Sequence, residues 1–333
     1  MGVLNSNNAT LLDMAKLKDP NGVTADIVEI LSQSNEIIQD MPFIEGNLPT
    51  GHQTTIRSGL PEPTWRRLYG GVKQSKSRTV KVTDTCGMLE AYSSIDSKLL
   101  ELNGNSPEWR LSEERAFIES IGQEFARTLF YGNEKDTPET FTGLAPRFCD
   151  AKANNGDNIL CEGQNKTKAT NTSIWLVAWD ESTAHGIFPK GTKAGITQED
   201  RGFQDVEADD GSGKYKAAVT HYGWDCGLCV RDWRYIVRIV VDTAALKNDA
   251  ATGANLPMLM AQASERIQSL SKGRAAYYCN RQIREMLRLQ TIHAIKQSTL
   301  TWENVGGQPV LAYGGIPVRR CDSISNTEKH VNS

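Results

Sequence analysis

Charge reverses sign in one step early in the chain, and that reversal restricts the fold more than any other feature. Between Asp19 and Thr50 stand Asp19, Asp26, Glu29, Glu36, Asp40 and Glu45, with no Lys or Arg. Between Gly51 and Thr83 stand Arg57, Arg66, Arg67, Lys73, Lys76, Arg78 and Lys81 against Glu62 alone. Thr54 to Arg57 and Arg78 to Val82 have strand composition, and Pro61, Pro63, Gly70 and Gly71 punctuate the stretch between them. The basic segment therefore reads as a long two-stranded loop. It cannot fold into a core alone, because an isolated pair of strands is marginal in water. The acidic side, through about Pro49, reads as an arm with two short helical signals. Leu11, Leu12, Met14 and Ala15 lie near one face of Thr10 to Leu17, and Ile27, Val28, Leu31 and Ile38 follow a cap at Thr24.

The clearest helix opens at Ser106-Pro107, with Ser at the cap and Pro at the first position. Phe117, Ile118, Ile121, Phe125 and Leu129 form its apolar stripe, and Gly132 stops it. Arg110, Glu113, Glu114, Arg115, Glu119 and Glu124 occupy the other face. About seven turns is long for a globular helix and predicts a spine. Cys149 to Thr172 reads as a surface loop. Strands are predicted at Ser173 to Trp179, Ala217 to Tyr222 and Tyr235 to Val241. A second helix is predicted over Asn255 to Leu270 and a third over Arg274 to Gln290. The last predicted element is a hairpin, Gln308 to Tyr313 and Ile316 to Arg319 around Gly314-Gly315.

The chain has 333 residues, enough for about two domains, with 39% hydrophobic residues to supply cores. A net charge of −3 argues against a dedicated nucleic-acid binder. No apolar stretch approaches the ~18 residues a membrane helix needs, and MGVLNSNN lacks the regions of a signal peptide. Seven scattered cysteines read as free thiols in a reducing compartment. Cys226-Gly-Leu-Cys229 lacks a second pair at ligand spacing, although His221 could add a third donor. Asp205, Glu207 and Asp209 alternate as in a calcium loop, but Asp210 and Lys216 replace the required Gly and Glu, so a solvated acidic loop is expected. The five histidines sit apart in sequence, and no nucleophile elbow occurs. No catalytic residue, metal or cofactor is therefore expected. Arg274, Arg281 and Arg288 recur every seventh residue, with Arg284 beside them. They form a basic stripe open to three readings: phosphate contact, acidic neighbours, or a solvated face.

Read in order, several segments resemble one family. They are Asp19-Pro to Met41-Pro42, Leu60-Pro-Glu-Pro-Thr-Trp-Arg-Arg-Leu68, Glu114-Arg-Ala-Phe-Ile-Glu119, Leu129-Phe-Tyr-Gly-Asn133 and Phe141-Thr-Gly-Leu-Ala-Pro-Arg147. Further on come Trp224-Asp-Cys-Gly-Leu228, Val230-Arg-Asp-Trp-Arg-Tyr235, Tyr278-Cys-Asn-Arg281 and Gly315-Ile-Pro-Val-Arg-Arg320. This set is similar to the major capsid proteins of podovirus-type phages related to epsilon15. The resemblance implies an α+β, HK97-like capsid fold: an N-terminal arm over 1–50 and an extended loop over 51–85. A peripheral domain over 86–149 would follow with its spine helix at 107–131, then a mainly axial domain over 150–300. A C-terminal β segment over 301–333 would return to the peripheral domain.

The implied function is self-assembly into hexamers and pentamers of an icosahedral head in the host cytoplasm. Its partners would be a portal, a scaffolding or decoration protein, and weakly held DNA, with no membrane. A shell around packed DNA gains from lacking net positive charge, since each fixed cation facing the genome binds phosphate. Lys73 and Lys76 lie in the loop, but nothing names an Asn partner or a catalytic Glu, so no crosslink is expected. The subunit-contact residues expected are Arg57, Trp65, Arg66, Arg67, Lys73, Lys76 and Arg78 on the loop. They would face Asp26, Glu29 and Glu36 on the arm, or Glu113, Glu114 and Glu119 on the spine. The rival readings are a cellular nanocompartment shell of the same fold and an enzyme with a dispersed active site.

Overall fold

The computed structural model describes residues 33, 35–102, 107–208, 213–248, 253–293, 300–305 and 308–332. Two compact units share the chain discontinuously. One takes Met1–Gln33, Met88–Ala126 and Gly195–Asp225, and the other takes Ser34–Gly87, Arg127–Ala194 and Cys226–Ser333.

The strands are β1 (Phe43–Glu45), β2 (Gly51–Gly59), β3 (Arg78–Asp96), β4 (Ile159–Gly163), β5 (Asn171–Trp179), β6 (Ala184–Phe188) and β7 (Thr197–Glu207). They continue with β8 (Lys214–Val230), β9 (Ile236–Asp242), β10 (Arg274–Cys279), β11 (Leu300–Val305), β12 (Gln308–Tyr313) and β13 (Ile316–Arg320). In the larger unit every residue of β5 is buried. That is why its sequence is a continuous apolar run rather than an alternation. β5 pairs antiparallel with β9, Ile174 opposite Ile239, and with β10, Tyr278 opposite Trp175. β13 continues the sheet parallel to β10, and β12 and β11 follow antiparallel. On the other side β5 meets β6, which pairs with the end of β8 and with β1. Helices Leu256–Arg266 and Arg281–His293 contribute Leu259, Met260, Ala263, Ile283 and Leu287 to the core with Ile174, Leu176, Val237 and Ile239. Each of these side chains larger than alanine contributes about 1.5–3 kcal/mol on burial.

The opposite face of β5 holds a buried polar knot. Arg238 lies over Trp175, 5.2 Å from the ring centroid, and donates to Phe148 O at 2.7 Å and Ser173 Oγ at 2.9 Å. Its guanidinium meets Glu328 at 2.8 Å, both side chains being about 5% exposed or less. The Glu328 carboxylate also accepts from Tyr131 Oη and Ser173 Oγ, each at 2.5 Å. Burial pushes the Tyr131 phenol well above its ordinary range, so it stays a donor. Every charged oxygen and nitrogen here has a partner, which a buried ion pair requires to persist.

In the smaller unit the spine helix runs from Pro107, and it ends at Tyr131 in the larger one, as the sequence predicts. Phe117 stacks on Tyr222 with centroids 5.6 Å apart, and Phe125 meets Trp224 at 4.3 Å. Asp205 and Glu207, expected in a loop, instead end strand β7, paired with β8, while Asp209 lies outside the described residues. Asp205 lies opposite Lys216 and Glu207 opposite Lys214, so the ladder sets acid across from base on a strand that is wet on most of its length.

Three further expectations need correction. Cys149 to Thr172 is not all surface loop: Ile159–Gly163 is strand β4, paired with β9, and Ile159 and Leu160 are buried. Arg274 to Gln290 is not one helix: Arg274–Cys279 is strand β10, and the helix begins at Arg281. Gly273, at φ +82°, turns the chain into the strand, and Asn280 Oδ1 accepts from Ile283 N–H at 2.9 Å to start the helix. The exposed edge of β5 needs a partner, and that tertiary demand overrides local helix periodicity. The end of the arm is also not extended. Ile37 is fully buried in a short helix, Ile37–Asp40, and β1 pairs with β6. The helical signals before Gln33 lie outside the described residues.

The C-terminal hairpin turns at Gly314 and Gly315, with φ +58° and +79°. Left-handed backbone at both positions is what a type I′ turn needs. Gly315→Val is expected to destabilise the subunit by about 1–2 kcal/mol and Gly314→Asn by much less. Urea midpoints of the two variants check this.

Candidate functional site

β2 and β3 pair antiparallel from Gly51 opposite Thr85 to Gly59 opposite Arg78, with an irregularity after Arg57. The expected two-stranded loop is therefore present, and its root is held firmly. Asn47 brackets Gln53, accepting from its N–H at 2.7 Å and donating to its carbonyl at 2.8 Å. Arg147 meets Asp84 at 2.8 Å and donates to the carbonyls of Thr142 and Leu228. Gly227 sits so close to β3 that a side chain there would meet Thr85 O at 2.5 Å, so this crossing admits only glycine.

Beyond Gly59 the loop has no ladder until Arg78, and its contacts are local. Gly70 N–H donates to Arg67 O at 3.0 Å, and Ser75 Oγ donates to Glu62 O at 3.0 Å. Tyr69 takes φ +62°, a conformation unfavourable by about 1–2 kcal/mol for a residue with a Cβ. Leu60 is 77% exposed, Trp65 103%, Leu68 87% and Tyr69 101%. Soluble surfaces carry scattered apolar residues, but four large ones this exposed within ten residues of one loop are unusual. Arg57, Arg66, Arg67, Lys73, Lys76 and Arg78 are all exposed on the same segment. Sequence reasoning singled out Trp65 and the bases but missed Leu60, Leu68 and Tyr69. Their signal was available, as large apolar residues in a segment unable to form a core.

The acidic residues expected opposite the loop fare differently. Glu36 and Asp40 clamp Arg319 of their own chain at 3.3 and 3.2 Å, so Glu36 is not an open contact. Glu119 accepts from Gln33 N–H at 3.1 Å and from Gln123 at 2.9 Å, and Glu114 accepts from Gln198 at 3.2 Å. Both are half-buried. Asp26, Glu29 and the Glu113 side chain lie outside the described residues. The basic stripe is broken, since Arg274 stands on β10 while Arg281, Arg284 and Arg288 stand on the helix. Arg281 lies 3.8 Å from Asp322. Cys226 and Cys229 lie on β8, where residues three apart face opposite sides of a strand, so the pair cannot chelate one ion. His52 and His185, distant in sequence, come together with ring centroids 5.9 Å apart.

A family model described as "Major capsid protein GP7" matches residues 19–332. No curated protein matches the chain. Among solved structures, a chain from bacteriophage epsilon15 is 33% identical, covers 100% of both chains and superposes with a TM-score of 0.77. The capsid of bacteriophage JBD30 is 9% identical, with 95% of this chain and 99% of that one covered and a TM-score of 0.49. The holo-SrpI encapsulin complex from Synechococcus elongatus is 9% identical, covering 70% of this chain and 96% of that one, with a TM-score of 0.41.

Proposed function

The chain belongs to the GP7 family of major capsid proteins, and on that premise we propose that its subunits close an icosahedral head as hexamers and pentamers around double-stranded DNA. It is a phage-head shell protein with the HK97-like α+β fold, from a family that is structural. The proposal adds how the shell is held.

The observation that carries it is the solvent-exposed apolar tip of the loop, Leu60, Trp65, Leu68 and Tyr69. Covering such side chains is worth about 1.5–3 kcal/mol each, whereas an exposed ion pair contributes about 0.2–1 kcal/mol. The aromatic tip therefore supplies affinity, and the surrounding bases supply register and steering. A subunit touching several neighbours in this way buries several times the ~1,600 Å² of an ordinary pairwise interface. The acceptor surface is acidic and belongs to a neighbour, with Asp26, Glu29 and Glu113 as candidates and Glu114 and Glu119 already engaged within their own chain.

The domain assignment follows the same reading: arm, extended loop over 51–85, peripheral part around the spine helix, and an axial part built mostly from 150–300. A portal, a scaffolding or decoration protein and the packaged DNA are the further partners, with assembly in the host cytoplasm. Arg281, Arg284 and Arg288 are candidates for a weak phosphate or neighbour contact.

Limited proteolysis tests the proposal. Protein expressed alone should form particles visible by electron microscopy, and cleavage between Gly59 and Arg78 should be fast in dissociated subunits and at least about tenfold slower in shells. A protein that stays monomeric at high concentration with a protease-resistant loop refutes it.

A further inference from the structure

Three side chains far apart in sequence converge at the root of the loop. His52 stands on β2, His185 on β6 and Cys229 on β8, and one ligand atom from each lies within 4.8 Å of the others. β6 and β8 place His185 directly opposite Cys229, so the two project from the same face of the ladder. His185 is 1% exposed, and the Asp180 backbone is the hydrogen-bond partner its ring finds among the described residues. Buried polar groups are nearly always satisfied, so an imidazole with its other nitrogen unmet calls for a ligand.

We propose that His52, His185 and Cys229 bind a divalent cation of the zinc class. Two imidazole nitrogens and one thiolate form a borderline-soft donor set, which suits zinc and excludes magnesium and calcium, whose ligands are oxygens. Tetrahedral bonds of 2.0–2.3 Å put ligand atoms about 3.3–3.8 Å apart, so closing from within 4.8 Å takes movements of about an ångström. Binding breaks the Cys229 S–H bond, forms a sulfur–metal bond and releases the proton to solvent. Nothing is oxidised or reduced.

The surrounding charges set the balance. Asp84 acts on all three groups, and Arg231 opposes it at each. The Asp84 carboxylate gives one oxygen to Arg147 at 2.8 Å and accepts a hydrogen bond from the Cys229 thiol. Loss of the thiol proton breaks that bond and frees the carboxylate to orient a neighbouring ligand. Burial holds His185 neutral, with its pKa lowered to about 4, which is the protonation state a ligand needs. Burial also pushes the Cys229 thiol up, so a metal has to displace its proton and binding strengthens as pH rises. A neutral imidazole has one lone pair, and His52 accepts from Asn47 N–H at 3.3 Å. Ligation exchanges that long hydrogen bond for the metal and makes His52 the weakest of the three ligands.

Cobalt(II) titration of the full-length protein, stripped with chelator, tests the site. The expected result is one cobalt per chain, with sulfur-to-cobalt charge transfer in the near ultraviolet and displacement by zinc. Cys226→Ser should leave the signal unchanged, Cys229→Ser should abolish it, and His185→Gln should weaken binding by more than about tenfold. Absence of the charge-transfer band in the unsubstituted protein, at any cobalt concentration, overturns the proposal without relying on any variant. A band that survives Cys229→Ser, in a protein with native circular dichroism, overturns it equally.

Discussion

Subunits carrying Arg66→Glu and Arg67→Glu together are expected to fold normally and to form no closed shells. Both side chains are exposed, and neither has an ion-pair partner among the described residues, so the subunit itself loses nothing measurable. Circular dichroism and the melting transition of the dissociated variant should therefore match the parent. The change in charge is −4 per loop, and a shell multiplies it across every copy. Each lost pair is worth about 0.2–1 kcal/mol, but like charges placed against an acidic acceptor repel as well. Trp65→Ala separates the two contributions. It should raise the concentration needed for assembly by more than about tenfold, since a buried aromatic anchor is worth 2 kcal/mol or more, and leave the salt dependence of assembly unchanged. The charge-reversed variant should instead show no assembly at low salt and partial recovery at high salt, where screening shortens the repulsion. Normal shells from it at both salt concentrations, seen by electron microscopy, would sink the docking hypothesis.

Glu328→Ala is expected to destabilise the subunit by about 3–5 kcal/mol, the cost of leaving one member of a buried ion pair without its partner. The substitution strands the Arg238 guanidinium and removes the acceptor for Tyr131 and Ser173 together. For a chain of this size the melting temperature should fall by on the order of 10 °C. Replacing both partners, Arg238→Met with Glu328→Leu, should recover most of that loss, because no charge is then buried. Urea unfolding of the dissociated single and double variants measures both effects. Equal destabilisation by the two would show that the knot contributes through shape rather than charge.

The legible parts of this fold are those where one local signal agrees with the tertiary demand. The spine helix announces itself by Ser106-Pro107 and Gly132, and the hairpin by Gly314-Gly315. β5 reads correctly because an apolar run bounded by polar loops has nowhere to go except between two covered faces. β7 was invisible: wet on most of its length, it shows no alternation, and only its pairing with the lysines of β8 reveals it. The segment Arg274 to Cys279 misled, because Ala-Ala-Tyr-Tyr is compatible with either state and the vacancy beside β5 decides. The convergence of His52, His185 and Cys229 was beyond reach, since strands distant in sequence carry no spacing signal. The loop's basic face was plain in the sequence, whereas the engagement of Glu36 by Arg319 needed coordinates.

The loop between Gly59 and Arg78 touches little but itself, and this changes what natural selection can act on. On the docking proposed above, a residue such as Trp65 is constrained less by the body that bears it than by the surface of a sister copy encoded by the same gene. Every substitution at the tip therefore appears at once on all copies, and its receptor must follow in later generations. On that docking, loop and receptor would drift as a matched pair, and two such phages infecting one cell would tend to sort their subunits into separate heads.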